Sequence, residues 1–269
     1  MTDNIKNTKI VQRNLRGALA SKSAIIKQYF DKNAVDWAAF METFADETMQ
    51  DTILGYKGYH RQRDHGSQKR GGVAIYIKDD GTWKHMLYHK SPVGSKIESI
   101  TVKVMSANGV SDIYFTCAYM VPDITITEED LLVALPSMKL DAIQDVKWII
   151  ATDANAHKDL WDSFVNENDR GNTIVDYMID QGLVCQNDSE KPTRSAKLSG
   201  DIKHSSPDLT LTKGMDVHNW DTEADELSDH NWVTYGTHDI TSGQPRKMKF
   251  WNMAKAKWEK YTEYVDRVL

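Results

Sequence analysis

Two kinds of strand connection run through this chain, and together they exclude most architectures. The stretch IESITVKVMSANGVSDIYFTCAYMVP holds two strand-forming runs joined at ANG, a hairpin signal that makes them antiparallel neighbours. Elsewhere the strand-like runs TKIVQRN, GGVAIYI, VKWIIATD, SSPDLTLT and HNWVTYGT alternate with segments of helical spacing. The segment ASKSAIIKQYFDKNA predicts a helix, with Ser21 or Ser23 as its N-cap. ITEEDLLVALPSMKLDAI predicts a second, capped by Thr127 with Glu128, Glu129 and Asp130 in its first turn. RGNTIVDYMIDQGL predicts a third, stopped at Gly182. The apolar run in VDWAAFMET is too short to assign by periodicity. Hairpins and helical crossovers in one chain fit neither an all-parallel sheet nor an all-β design. Two packed β-sheets with helices outside accommodate both.

The 269 residues suffice for a substantial core, and 40% hydrophobic with 27% charged residues is ordinary for a globular protein. No apolar run is long enough to cross a membrane, and the polar start MTDNIKNTK is not a secretory signal. Cys117 and Cys185 sit in apolar settings, which suits buried thiols in a reducing compartment. No activating partner flanks Cys117, so it does not read as a nucleophile. A net charge of −6 argues against binding nucleic acid through the overall field, but the charge is uneven. Residues 57–70 carry five Lys/Arg against one Asp, whereas residues 208–229 carry seven Asp/Glu against one Lys. One patch suits an anion and the other a cation; the plainer reading is two solvated loops. SGQPRKMKF resembles a linker, and the apolar stripe Ala254, Trp258, Tyr261, Val265 and Val268 beyond it predicts an amphipathic helix.

Polar side chains fall where the predicted strands end. The first strand delivers Asn14 and the short apolar run delivers Glu42. IYFTCAY ends at Tyr119, WIIATDANAH at Asp153 and Asn155, and SSPDLTL carries Asp208 near its start. LSDHN supplies Ser228, Asp229 and His230. Loops at strand ends are the usual seat of chemistry on a rigid scaffold, and this set suits metal-assisted phosphodiester hydrolysis. A hard cation wants oxygen ligands, here Glu42, Asp229 and the amide of Asn14, and Mg²⁺ keeps enough of its own water that a few suffice. An uncoordinated carboxylate, Asp153, can deprotonate water. His230, Asn155 and Tyr119 are donors for the charge that gathers on the phosphate oxygens, and Asp208 can hold the His230 ring and favour its charged form. Each also has a plainer role: Asn14 as a turn former, Glu42 as a surface residue, Tyr119 as a half-buried aromatic, TDANAH as an Asx-rich turn.

In order, VQRNLRG, FMET, RGGVAIYI, AYMVP, TDANAH, RGNTIVDYMIDQGL, PTRS, SSPDLTLT and LSDHN resemble the endonuclease/exonuclease/phosphatase superfamily. More narrowly they resemble the apurinic-type endonuclease domain of non-LTR (LINE-type) retrotransposons. The resemblance spans about residues 9 to 237 and implies a four-layer α/β sandwich, two packed mixed β-sheets flanked by helices. It assigns Asn14, Glu42 and Asp229 to a metal site for Mg²⁺, or Mn²⁺, and Tyr119 to phosphate contact. Asp153 and Asn155 match the D-x-N motif, and Asp208 matches the carboxylate that orients His230 on the scissile phosphate. Thr193 takes the place of a phosphate-contacting Thr and Ser228 that of the closing Ser. Thr152 and Ala154 depart from the usual Gly-Asp-Phe-Asn wording, and FMET lacks the usual Gln, but no hydrolytic group is lost.

The function implied is a nuclear endonuclease that nicks one strand of double-stranded DNA and leaves a 3′-hydroxyl for target-primed reverse transcription. Residues 1–240 would be the nuclease domain. Residues 241–269 would be a linker and helix leading towards a downstream domain, as in a polyprotein with a reverse transcriptase. No membrane partner is expected. Arg61, Arg63, Lys69, Arg70 and the loop RSAKLSGDIKH are the candidates for tracking backbone phosphates. The alternatives are a superfamily phosphatase or phosphodiesterase acting on inositol phosphates or lipids, and a non-catalytic DNA-binding relic.

Overall fold

A computed structural model describes residues 7–45, 52–63, 71–106, 112–136, 146–198 and 200–238. Along the chain run β1 (Asn7–Asn14), α1 (Leu19–Asn33), β2 (Trp37–Met41), β3 (Tyr56–Arg61), β4 (Val73–Lys78) and β5 (Trp83–Lys90). Then come β6 (Ile97–Ser106), β7 (Asp112–Met120), α2 (Glu128–Ala134), β8 (Lys147–Asp153), α3 (Asp169–Gln181) and β9 (Val184–Cys185). The remainder are β10 (Arg194–Leu198), β11 (Asp201–Ser205), β12 (Asp208–Lys213), β13 (His218–Glu223) and β14 (Trp232–His238). The expected linker and C-terminal helix, Lys69, Arg70 and the ANG turn lie outside the described residues.

The strands form two six-stranded sheets, ordered β13-β14-β1-β2-β4-β3 and β5-β6-β7-β8-β12-β9, with β10-β11 as a separate hairpin. Each sheet is mixed: β1 and β2 are parallel in the first, β7 and β8 in the second, and their other pairings are antiparallel. Central strands are apolar on both faces because each face meets a different core. Trp37, Ala39 and Met41 of β2 point between the sheets, with Ile75, Phe115 and Ile149. Ala38 and Phe40 point the other way, onto Ile26 and Phe30 of α1. On the far side, Trp148 and Ile150 of β8 pack with Leu131 of α2 and Ile174 and Tyr177 of α3. The result is the expected sandwich: α1, sheet, sheet, then α2 with α3.

One buried polar bridge crosses the sheet interface. Gln12 on β1 donates to the Leu209 carbonyl of β12 at 3.1 Å, and its oxygen accepts from Thr210 at 3.1 Å and Tyr235 at 3.3 Å. It satisfies groups that would otherwise be buried unpaired and fixes how the sheets sit face to face.

Some local expectations fail for physical reasons. Neither Ser21 nor Ser23 caps α1. The helix starts at Leu19 after a left-handed Ala18 (φ 63), with no side-chain cap, and both hydroxyls bond carbonyls three residues back. Gly17 (φ 89) makes this turn possible, since a Cβ there would lie 2.2 Å from the Phe44 ring. Thr127 does cap α2, in a capping box with Asp130, but the described helix ends at Ala134. Leu135 is extended ahead of Pro136, as a residue before proline prefers. The basic stretch is not all loop: Tyr56–Arg61 is the edge strand β3. α3 ends at a left-handed Gly182 (φ 63), as read. None of the described helices is long and apolar enough to cross a membrane.

The segment before β14 is held by a buried arginine. Arg13 of β1 is fully buried, pairs with Asp225 at 2.5 Å, donates to the Ser228 carbonyl at 3.2 Å and lies 4.7 Å from the Trp232 ring centroid. Trp232 in turn donates to Asp225 at 2.7 Å. Removing one partner of such a pair strands the other charge. Asp225→Ala is expected to lower unfolding stability by about 2 kcal/mol, less than for a wholly buried pair because Asp225 is partly wet. Urea denaturation checks this, and an unchanged midpoint would remove the latch.

Candidate functional site

Sheet register assembles half of the site. Glu98 of β6 pairs with Tyr119 of β7, Tyr119 with Asp153 of β8, and Asp153 with Asp208 of β12. Residues directly opposite in a sheet share a face, so four polar side chains form one row at one end of the second sheet. The first sheet supplies Asn14, where β1 ends, and Glu42, just past β2. Asn14 joins the halves: its amide nitrogen donates to Glu42 Oε1 at 2.9 Å and to Asp153 Oδ2 at 2.7 Å. Its oxygen accepts the Arg16 backbone N–H at 2.8 Å. The Asn14 amide thus faces the carboxylates as a donor.

Arg16 (φ 49), Glu42 (φ 47) and Asn155 (φ 45) all adopt left-handed backbone, rare for non-glycine residues and concentrated where strands turn away from the site. Backbone bonds hold the Glu42 turn: Thr43 and Phe44 N–H donate to the Gly72 and Gly71 carbonyls at 3.1 and 3.0 Å.

Asp208, His230 and Thr193 form a buried network. Asp208 Oδ2 lies 2.8 Å from His230 Nδ1 and accepts from the Thr193 hydroxyl at 2.8 Å, which itself accepts the Asp208 N–H at 3.1 Å. Burial opposes charge on the His230 ring, but the Asp208 carboxylate bonded to it, with Asp153 and Asp229, prevails and raises its pKa to about 9. Asp153 is pushed up to about 7, by burial first and the neighbouring Asp208 second, against the pull of His230 and Asn14. Burial and the charges of Glu42 and Asp153 raise Tyr119, whose hydroxyl also bonds Glu42.

The other candidates are placed as follows. Asn155 donates its side-chain amide to the Met120 carbonyl at 2.9 Å, and its backbone N–H to Asp153 Oδ1 at 3.1 Å. Ser228 ties the β14 approach to β1, donating to the Asn14 carbonyl at 2.9 Å and accepting the His230 N–H at 3.2 Å. Asp229 Oδ2 meets Arg194 at 2.8 Å and Arg16 at 3.0 Å. Burial works to raise Asp229, yet His230 and the two arginines hold it below the usual carboxylate range. Arg61 is buried and bonded to the carbonyls of Ser91, Gln62 and Pro92, at 3.3, 2.5 and 2.8 Å. Arg63 is half-buried on Glu98 at 2.9 Å.

Asn14, Glu42, Tyr119, Asp153, Asn155, Asp208, Thr193, Ser228, Asp229 and His230 therefore gather at one end of the sandwich, whereas Arg61 is spent on the scaffold. Sequence reading missed Glu98 and Arg16, and it named Arg194 only as the first residue of the phosphate-tracking loop RSAKLSGDIKH. Glu98 had a signal: in IESITVKV it shares the alternation of Ile100 and Val102, a charge on an otherwise apolar face. Arg16 had none beyond its place within NLRG.

Asp153, Asp208 and His230 bring possible ligand atoms within 4.8 Å of one another. A ring that keeps its proton to about pH 9 is a poor ligand, however, and a better hydrogen-bond donor. The oxygens that suit a hard cation are carboxylate ones, and Asp208 Oδ1 and Asp229 Oδ1 are buried with no hydrogen-bond partner among the described residues.

Residues 113–234 match the model of a family described as endonuclease-reverse transcriptase. Among solved structures, the endonuclease domain of TRAS1, a telomere-specific non-LTR retrotransposon, matches with a TM-score of 0.66 at 20% identity, over 87% of this chain and 100% of that one. A mannosyl-6-phosphatase of Bacteroides thetaiotaomicron matches with a TM-score of 0.58 at 17% identity, over 85% and 98%. D. rerio TDP2, complexed with a single-strand DNA product, matches with a TM-score of 0.58 at 12% identity, over 86% and 98%. No curated protein matches the chain. The chain thus shares the two-sheet fold of these structures, and its segment 113–234 matches the endonuclease-reverse transcriptase family model.

Proposed function

We propose that this protein is a divalent-cation-dependent DNA endonuclease of the retrotransposon type. It nicks one strand of duplex DNA in the nucleus and leaves a 3′-hydroxyl that primes reverse transcription by a downstream domain. The observation that carries the reading is the Asn14 bridge, which ties Glu42 of one sheet to Asp153 of the other, beside Asp208 and His230. The family's description and the retrotransposon endonuclease among its structural neighbours favour DNA as substrate. Residues 1–240 are the nuclease unit in this reading, and the tail leads to the next domain.

Glu42 and Asp229 would hold the cation, Mg²⁺ or Mn²⁺, with Asn14 fixing Glu42. When bound, the cation supplies charge stabilisation on phosphate oxygens and a lower pKa for nearby water. Asp153, once ionised, takes the proton of the attacking water. As the new O–P bond forms and the P–O3′ bond breaks, charge builds on the non-bridging oxygens, and the departing O3′ takes a proton from solvent to become the 3′-hydroxyl. Protonated His230, held by Asp208, donates to them, with the second N–H of the Asn155 amide beside it and the Tyr119 hydroxyl joining once Glu42 turns to the cation. Thr193 and Ser228 enter as positioning residues, since their hydroxyls are already engaged with Asp208 and with Asn14.

The test is supercoiled plasmid with Mg²⁺ and mapping of the product ends: single nicks with 3′-hydroxyl and 5′-phosphate termini are expected. No nicking, or nicking that survives Glu42→Ala, would refute the reading. The phosphatase among the structural neighbours motivates a second reading, phosphomonoester hydrolysis. Phosphate release from a soluble monoester without plasmid nicking would favour it.

A further inference from the structure

At the lip of the site two arginines converge on one carboxylate. Asp229 Oδ2 takes Arg16 Nη1 at 3.0 Å together with Nε and Nη2 of Arg194, at 2.9 and 2.8 Å. The Asp229 side chain is 15% exposed, but those of Arg16 and Arg194 are 59% and 38% exposed. One carboxylate cannot use the donors of two guanidiniums, so the trio carries a net positive charge and N–H groups that Asp229 does not take up. Both arginines are fixed by the residues that hold the hydrolytic groups. Arg16 keeps its left-handed backbone through the bond from its N–H to Asn14. Arg194 pairs with His230 in an isolated bridge, and the next residue, Ser195, donates its N–H to the Asp229 carbonyl at 2.8 Å.

We propose that Arg16 and Arg194 form a phosphate clamp that grips the nucleic-acid backbone beside the phosphate being cut, with Asp229 Oδ2 as the internal counter-ion that the ligand displaces. The choice of nucleic acid rests on the function proposed above. Planar guanidiniums match the paired oxygens of a phosphodiester as well as those of a carboxylate. The two oxygens of Asp229 differ: Oδ2 meets the arginines, whereas Oδ1 is buried and has no hydrogen-bond partner among the described residues. The counter-ion holds the clamp in place while no DNA is bound and gives way when phosphate arrives.

A cation-free binding experiment separates this clamp from an ion pair that merely braces the lip. The full chain is titrated in EDTA with a short labelled duplex, and separately with inorganic pyrophosphate, over a range of salt. Arg16→Gln and Arg194→Gln should each weaken both probes about tenfold, and each should lower the duplex salt slope by about 1. Asp229→Asn should tighten both about threefold to tenfold, because it releases both guanidiniums; a structural brace predicts weakening or no change. Arg16→Gln alters an exposed side chain, so it tests the clamp even if the Asp229 variant fails to fold. Wild-type slopes and wild-type pyrophosphate affinity in both arginine variants would overturn the clamp while leaving the DNA reading intact. Arginine-dependent pyrophosphate binding with no duplex binding at all would uphold the clamp and sink DNA as its ligand.

Discussion

Replacing His230 with alanine is expected to slow plasmid nicking about a thousandfold, with little change in duplex affinity, which is the scale for losing a charged donor to a developing oxyanion. The ring is buried against Asp208 at 2.8 Å and keeps its proton to about pH 9, so at neutral pH it presents a second N–H without reorganising. Asp208→Asn should cost less near pH 6 than near pH 8, because the ring loses the charge that held its proton and titrates closer to the ordinary histidine value. Single-turnover nicking across that range, beside thermal melts, separates lost chemistry from lost fold. A His230→Ala rate within tenfold of wild type would remove the ring from the reaction.

Asp153→Asn should cost a similar factor, about a thousandfold, and should also change the shape of the pH profile. Burial and Asp208 raise the Asp153 carboxyl to about 7, and a base works only in its ionised form. The wild-type rate should therefore climb about tenfold per pH unit on the acid side and then level, with deprotonation of His230 closing the profile on the alkaline side. A dication beside the carboxylate draws its proton off earlier, so the acid limb lies at or below pH 7. In the variant the residual rate should lose that limb. The substitution is nearly isosteric, and the new side-chain amide can turn its oxygen towards Asn14, so the bridge across the sheets survives. A limb that persists unchanged would assign the titration to another group.

The fold was legible because each central strand had to satisfy two cores. VAIYI and KWIIATD carry apolar residues on both faces, as does WAAFM, which periodicity alone left unassigned, and hairpin and crossover signals pointed to mixed pairing. The edge strands were not legible: β5, β11 and β13 are largely exposed, so burial leaves little alternation in their sequences. The N-cap of α1 failed because a left-handed turn through Gly17 and Ala18 does the work a serine was expected to do. For the site, polar residues at strand ends pointed to the right places, but only register could bring them together. The Tyr119–Asp153–Asp208 row depends on pairings between strands far apart in the chain, which no local pattern encodes. Arg61 misled because a basic residue in a charged stretch reads as surface, whereas its guanidinium is consumed by three backbone carbonyls.

The bridge from Asn14 to Asp153 closes a separation of 139 residues, and Ser228 returns to Asn14 across 214. Contacts of that span arrive late in folding, after the chain-closure entropy has been met. On the function proposed above, a truncated, nascent or partly unfolded chain would hold the hydrolytic groups without their alignment. For a protein proposed to break its host's genome, competence that appears only with the finished tertiary structure is an intrinsic safety catch.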